Sequence, residues 1–309
     1  MDTALRRPAA LIVVILLLAF AQTTEVRGHT PDAAHIADPP ELPFKVYLPG
    51  VNLAAPAFTC PLAAGAVFDA INPYPPPSDR PAALHADLNL ALRGYAPYGT
   101  FLGMIDYDGD TDGHPPQLAN LFAPARIPGF AAAFRVHDWD WACGDMGCRG
   151  PLLSSPEVTM LSLVTERGEP ISSPDRAQYI EGPYITLVLY AEEQRITLKY
   201  TMEDNVISGY TVHLEQVCVD PNLLALYRQT DHDGRVVLPA LRRGQPLGVA
   251  SGDQIRVAVR DCGAIMDPRS RKDWWMSLPY NGPLQVRSGT ACGERRQQQD
   301  PPIIGIPRP

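Results

Sequence analysis

The run Tyr184-Ile-Thr-Leu-Val-Leu-Tyr190, the charged Glu192-Glu193-Gln194, and the run Arg195-Ile-Thr-Leu-Lys-Tyr-Thr201 decide the fold class. Two stretches rich in β-branched and aromatic residues, parted by a short polar turn, read as an antiparallel hairpin. A third strand is expected in Val206-Ile-Ser-Gly-Tyr-Thr-Val-His213-Leu-Glu215, with one histidine set in it. Downstream, Arg242-Arg-Gly-Gln-Pro-Leu-Gly248 reads as a tight glycine-bounded corner. Asp253-Gln-Ile-Arg-Val-Ala-Val-Arg-Asp261 alternates polar with apolar residues at period two, as a strand with two different faces must. The block closes on Cys262-Gly-Ala-Ile-Met-Asp-Pro268.

Composition agrees with this reading. Thirty-three prolines and 24 glycines among short Val/Ile/Thr/Tyr runs favour strands and turns over helices, so the chain is expected to be mainly β. The first residues read as a secretory signal peptide over 1–21. Arg6 and Arg7 are basic, Ala9 to Phe20 is apolar but too short to span a bilayer, and Ala19-Phe-Ala21 has the form of a cleavage site. An uncleaved anchor is the other reading of that segment. Cleavage would remove Arg6, Arg7 and Asp2, moving the formal charge from −8 to −9. An acidic exported chain is a poor partner for nucleic acid or anionic lipid, and no other stretch is apolar enough for a membrane span.

All six cysteines, Cys60, Cys143, Cys148, Cys218, Cys262 and Cys292, follow that segment. In an oxidising compartment they can close up to three disulfides, and Cys143 with Cys148 is the pair easiest to join across a loop relaxed by two glycines. A zinc site on that pair lacks the ligand count of a structural centre. Residues 22–59 read as a proline-rich tether, with His29 and His35 solvated, and 281–309 as a disordered polar tail.

The order Tyr210-Thr-Val-His213, Gly244-Gln-Pro-Leu-Gly248 and Asp267-Pro268 resembles the lysostaphin and LytM-type zinc endopeptidases that cut peptidoglycan cross-bridges. The resemblance implies an antiparallel, β-sandwich-like domain over 60–280, which the cysteines make disulfide-linked; at about 100–183 the chain departs from the family's compactness and reads as a loop-rich insertion or second lobe. The family's early His-x-x-x-Asp corresponds to His85-x-x-x-Asn89, and its His-x-His falls on Gln254-Ile-Arg256. Carried over position by position, His85, Asn89 and Arg256 stand at the metal-ligand places, and His213 and Gln254 at the catalytic histidine places. Asparagine brings no charge to a zinc shell and a guanidinium cannot ligate at all. Without the metal there is no activated water. Asp87 lies two residues from Asn89 and would share its face on a strand.

Three functions are therefore carried forward. The first is a secreted or cell-surface binding or scaffolding protein with an inactive peptidase-like domain, its partner peptidoglycan or another envelope component and no cofactor expected. The second is an active zinc-dependent endopeptidase, requiring His85, His213 and a further ligand such as Asp87 to converge. The third is a glycan-binding module using Trp139, Trp141, Trp274 and Trp275, since exposed indoles stack on sugar rings whereas buried ones are core. A separate feature, Asp108-Gly-Asp110-Thr-Asp112-Gly113, has the alternating carboxylates of the first half of a calcium loop but no bidentate Glu at the expected distance. An Asp/Gly-rich solvated turn is its simpler reading.

Overall fold

A computed structural model describes residue 60 and residues 66–75, 77–108, 111, 114–176 and 178–287. The expected signal segment, tether and most of the tail lie outside the described residues, as do Asp110 and Asp112.

In chain order the elements are β1 (Asp69–Ile71), α1 (Leu90–Arg93), β2 (Tyr95–Tyr98), β3 (Met104–Tyr107), β4 (Phe130–Asp140), β5 (Cys148–Leu152), β6 (Met160–Val164), β7 (Pro170–Ser172), β8 (Tyr184–Glu192) and β9 (Arg195–Lys199). There follow β10 (Tyr210–Glu215), β11 (Val217–Val219), α2 (Pro221–His232), β12 (Leu238–Arg242), β13 (Pro246–Ala250), β14 (Gln254–Asp261), β15 (Ala264–Met266), α3 (Arg271–Trp274) and β16 (Leu284–Arg287). The chain is mainly β, as its composition requires.

An antiparallel sheet dominates, in the order β1-β12-β8-β9-β10-β14-β6-β4-β2, with β5 added to β4 and β15 to β14. Its centre is the expected hairpin β8–β9 and the strand after it. Glu192 opposes Arg195 across a two-residue turn, and His213 opposes Thr197 on β9 and Ala258 on β14. The β14–β15 turn is made by Cys262 and Gly263, both at positive φ. The Gly244 corner carries the chain from β12 in this sheet to β13 in a separate three-stranded sheet with β11 and β7. The 100–183 segment does not stand apart, because its strands β4 and β6 continue the large sheet beyond β14.

Directly opposed residues of an antiparallel pair share a face. One face of β9, β10, β14 and β6 carries Ile196, Leu198, Val212, Leu214, Ile255, Val257, Val259, Leu161 and Leu163, which join the principal core. The other face carries Thr197, Lys199, Thr211, His213, Arg260, Arg256 and Ser162. Most of these are buried as well, so this polar face is also covered.

The Asp220 carboxylate accepts from the Asn222 and Leu223 amides, capping α2, with Pro221 in its first turn. One reading is corrected. Trp274 and Trp275 belong to the core, at 1% and 0% exposure, their indole N–H groups donating to the carbonyls of Asp267 and Pro268.

The expected Cys143–Cys148 disulfide is present, and a second joins Cys60 to Cys218 on β11. Cys262 is disulfide-bonded too. This bonding fits an oxidising, extracellular setting. Among the described residues no helix is long and apolar enough to cross a membrane.

Candidate functional site

The polar face of β10 and β14 is roofed by the segment 82–93. Asn89 begins α1 by accepting from the Ala91 amide, and its side-chain N–H donates to the carbonyl of Ala83. That cap fixes the preceding turn, in which the Asp87 amide donates to Nδ1 of His85 at 3.2 Å. Asp87 then points into the sheet. One of its oxygens accepts from Arg93 at 2.6 Å and from Arg260 at 2.8 Å.

The three side chains are 14%, 7% and 2% exposed respectively. Burial alone would raise Asp87, but the two guanidiniums overcome it and hold the carboxyl at about 2. Burial in turn lowers Arg260 to about 10, Asp87 opposing the shift, so the guanidinium remains charged at neutral pH. Its other nitrogen donates to the Gly263 carbonyl, as Arg93 donates to the carbonyl of His137.

Beneath this cluster lies His213. Thr197 donates its hydroxyl proton to the Leu88 carbonyl at 2.7 Å, so Nδ1 of His213, 3.0 Å from the same oxygen, is the donor to it. That assignment leaves the Nε2 lone pair without a hydrogen-bond partner in a buried place. Burial first, and then the Arg260 charge, push His213 well below the ordinary histidine range. The ring is neutral and has no room to take up a proton cheaply.

The side chains at the family's metal places do not make a donor set. Asn89 is spent on its cap. Arg256 donates to the Tyr95 hydroxyl at 2.7 Å and stacks 4.7 Å from the Phe134 ring centre. His85 offers Nδ1 to the Asp87 amide, while its Nε2 lies 3.6 Å from Asp79. Gln254 opens β14 opposite Val164. The basic residue beside His213 is Arg260, four positions after Arg256 on the same face. Asp87, weighed as a substitute ligand, does reach this place, but with both guanidiniums on one oxygen. Among the described residues no group of three or more His, Cys, Asp and Glu side chains could share a metal ion.

Outside the roof, Trp141 sits against His85 with ring centres 5.0 Å apart, and the Arg80 guanidinium lies 4.4 Å from the Trp141 centre. Trp139 meets Trp141 edge to face at 6.1 Å and donates its indole N–H to the Met146 carbonyl inside the Cys143–Cys148 loop. Both indoles are half-buried, unlike Trp274 and Trp275. A Cβ at Gly147, where φ is +77°, would lie 2.1 Å from Nε1 of Trp139, so only glycine allows this contact.

At the acidic loop Asp108 is exposed. The carboxylate before it, Asp106, is taken by Arg271 and the Lys272 amide, and Thr111 donates to Asp273. These contacts pin the loop to α3.

Arg93, Arg260, Thr197, Asp79 and Arg80 were not singled out from the sequence. Arg260 alone carried a signal there: it continues the polar period of β14 where a strand over a core would place an aliphatic residue. Comparison with family models, with curated proteins and with solved structures gives no match for this chain.

Proposed function

We propose that this chain is an exported binding or scaffolding protein of the cell envelope, built on a lysostaphin-type frame that no longer hydrolyses its target. The observation that carries the reading is Asp87 clamped between Arg93 and Arg260 beside the neutral His213. A zinc-activated water needs anionic or imidazole donors and an open position. This place instead holds two fixed positive charges that repel a cation, and its one carboxylate is already shared between them. The Arg256 side chain, at the remaining ligand place, is committed to Tyr95 and Phe134. Two disulfides within the described residues, together with the leader-like first residues, support export.

The contact surface in this reading is the outer side of the roof, where the half-buried Trp139 and Trp141 lie over His85 and the closed cluster. Peptidoglycan, or another envelope polymer, is the partner class. The test is incubation of the purified chain with glycine-bridged cell-wall sacculi and added zinc, followed by sedimentation. Retention in the pellet without release of soluble muropeptides is expected. Chelator-sensitive release would establish the endopeptidase instead, and a chain left wholly in the supernatant would refute binding.

A further inference from the structure

The corner made by Trp139 and Trp141 has a chemistry of its own. The two indoles meet at 62°, which leaves an angled, electron-rich surface rather than a flat one. The protein spends several devices on holding it half-exposed. The Cys143–Cys148 bridge closes the loop beneath Trp139, the Met146 carbonyl takes its N–H, and Gly147 has no side chain to push it away. Trp141 is steadied by His85 on one side and by Arg80.

The rim supplies acceptors and two guanidiniums, Arg80 over Trp141 and the exposed Arg149 opposite Trp139 on β5. Asp79, 67% exposed, pairs with Arg80 at 3.1 Å and lies beside His85. Asp138 is 58% exposed, and Asp140 and Asp145 are exposed as well. The exposed side chains that neighbour the indoles along β4, β5 and the Cys143–Cys148 loop, Asp138, Asp140 and Asp145 with Arg149, carry a net negative charge, as does the whole chain at −8.

We infer that this corner is a saccharide subsite, and that its ligand carries no acidic groups. A pyranose ring has a C–H face that packs on an indole and an equator of hydroxyls that a carboxylate can accept from. An acidic polysaccharide would meet four carboxylates against two guanidiniums, Arg80 already paired with Asp79 and Arg149 already donating to the Leu92 carbonyl. The inference rests on the binding reading above and narrows it to one ligand class and one pair of rings.

The test uses the full chain with its disulfides intact. Tryptophan fluorescence is titrated with a β-1,4-linked N-acetylglucosamine tetramer and with cellotetraose as uncharged probes, and with a tetragalacturonate as the acidic control. Saturable binding of an uncharged probe, at least tenfold weaker in Trp141→Ala and in Trp139→Ala, and absent for the acidic control, is the expected result. Asp79→Asn, at a position 67% exposed, is expected to weaken binding severalfold and guards against a folding artefact in the indole variants. Failure of both uncharged probes to bind at millimolar concentration overturns the inference, as does equal binding of the acidic control. If sacculi retain the chain while the sugars fail, the saccharide assignment falls and the binding reading stands. If sugars bind and sacculi do not, the envelope partner is wrong and the subsite is right.

Discussion

Replacing Asp87 by Asn keeps the shape of the side chain and removes its charge, so it isolates what the carboxylate does beneath the roof. In the native chain Asp87 accepts from Arg93 at 2.6 Å and Arg260 at 2.8 Å, all three side chains being largely out of water. A carboxyl held at about 2 instead of 3.8 is worth about 2.5 kcal/mol to the folded state at neutral pH. Breaking a buried pair also strands the partner charges, and such losses run to about 5 kcal/mol. With a urea dependence of about 2.5 kcal/mol per molar, the midpoint should fall by about 1–2 M. The assay is urea unfolding of both chains at pH 7, followed by far-ultraviolet circular dichroism with the disulfides intact. A companion variant, Asp87→Leu with Arg93→Met and Arg260→Met, removes the whole cluster and should recover most of the loss. A midpoint shift below about 0.3 M for Asp87→Asn would mean that water screens the cluster, and the sealed roof would be wrong.

Further outcomes follow from the same geometry. His213 is held below its ordinary 6.5, so the unfolded chain binds a proton that the folded chain refuses as pH falls. Stability is therefore whole above pH 6.5 and declines below it, by at most about 2 kcal/mol at pH 5 for this one group. His85, also lowered by burial, adds to the same direction, and His213→Asn should flatten most of the slope in urea midpoints taken from pH 7.5 to 5. The two disulfides should differ in worth. Cys60–Cys218 spans 158 residues and Cys143–Cys148 spans 5, so removing them should cost about 5 and about 2 kcal/mol in thermal unfolding. Iodide should quench Trp139 and Trp141 but not the buried Trp274 and Trp275. The double variant Trp139→Phe/Trp141→Phe should leave emission resistant to quencher, and Gly147→Ala should alter both quenching and probe binding while the core emission holds.

What could be read in the sequence is what depends on neighbours along the chain. The β8–β9 hairpin and the alternation on β14 appear because period two is local, and the Cys143–Cys148 bridge because its loop is short. Helix α2 was hidden by a local ambiguity: Asp220-Pro221 can stop a strand or cap a helix, and the packing of Leu223, Leu224 and Tyr227 on the core decides it. The strand face expected to join Asp87 and Asn89 is absent, because 86–88 is a turn and Asn89 caps the helix that follows. Trp139–Trp141 and Trp274–Trp275 look alike in composition, yet one pair lies at the edge of the sheet and the other beneath it. The cluster itself could not have been seen. Asp87 and Arg260 are 173 residues apart, and only the register of β14 against β10 brings the arginine over His213.

Zinc retention is the most direct measure of whether this place is a closed charge cluster or a working centre. Purified chain is loaded with equimolar zinc, dialysed exhaustively and assayed for metal by elemental analysis. No zinc is expected to be retained, in the native chain and in His213→Asn alike. One zinc per native chain, lost on His213→Asn, would contradict it.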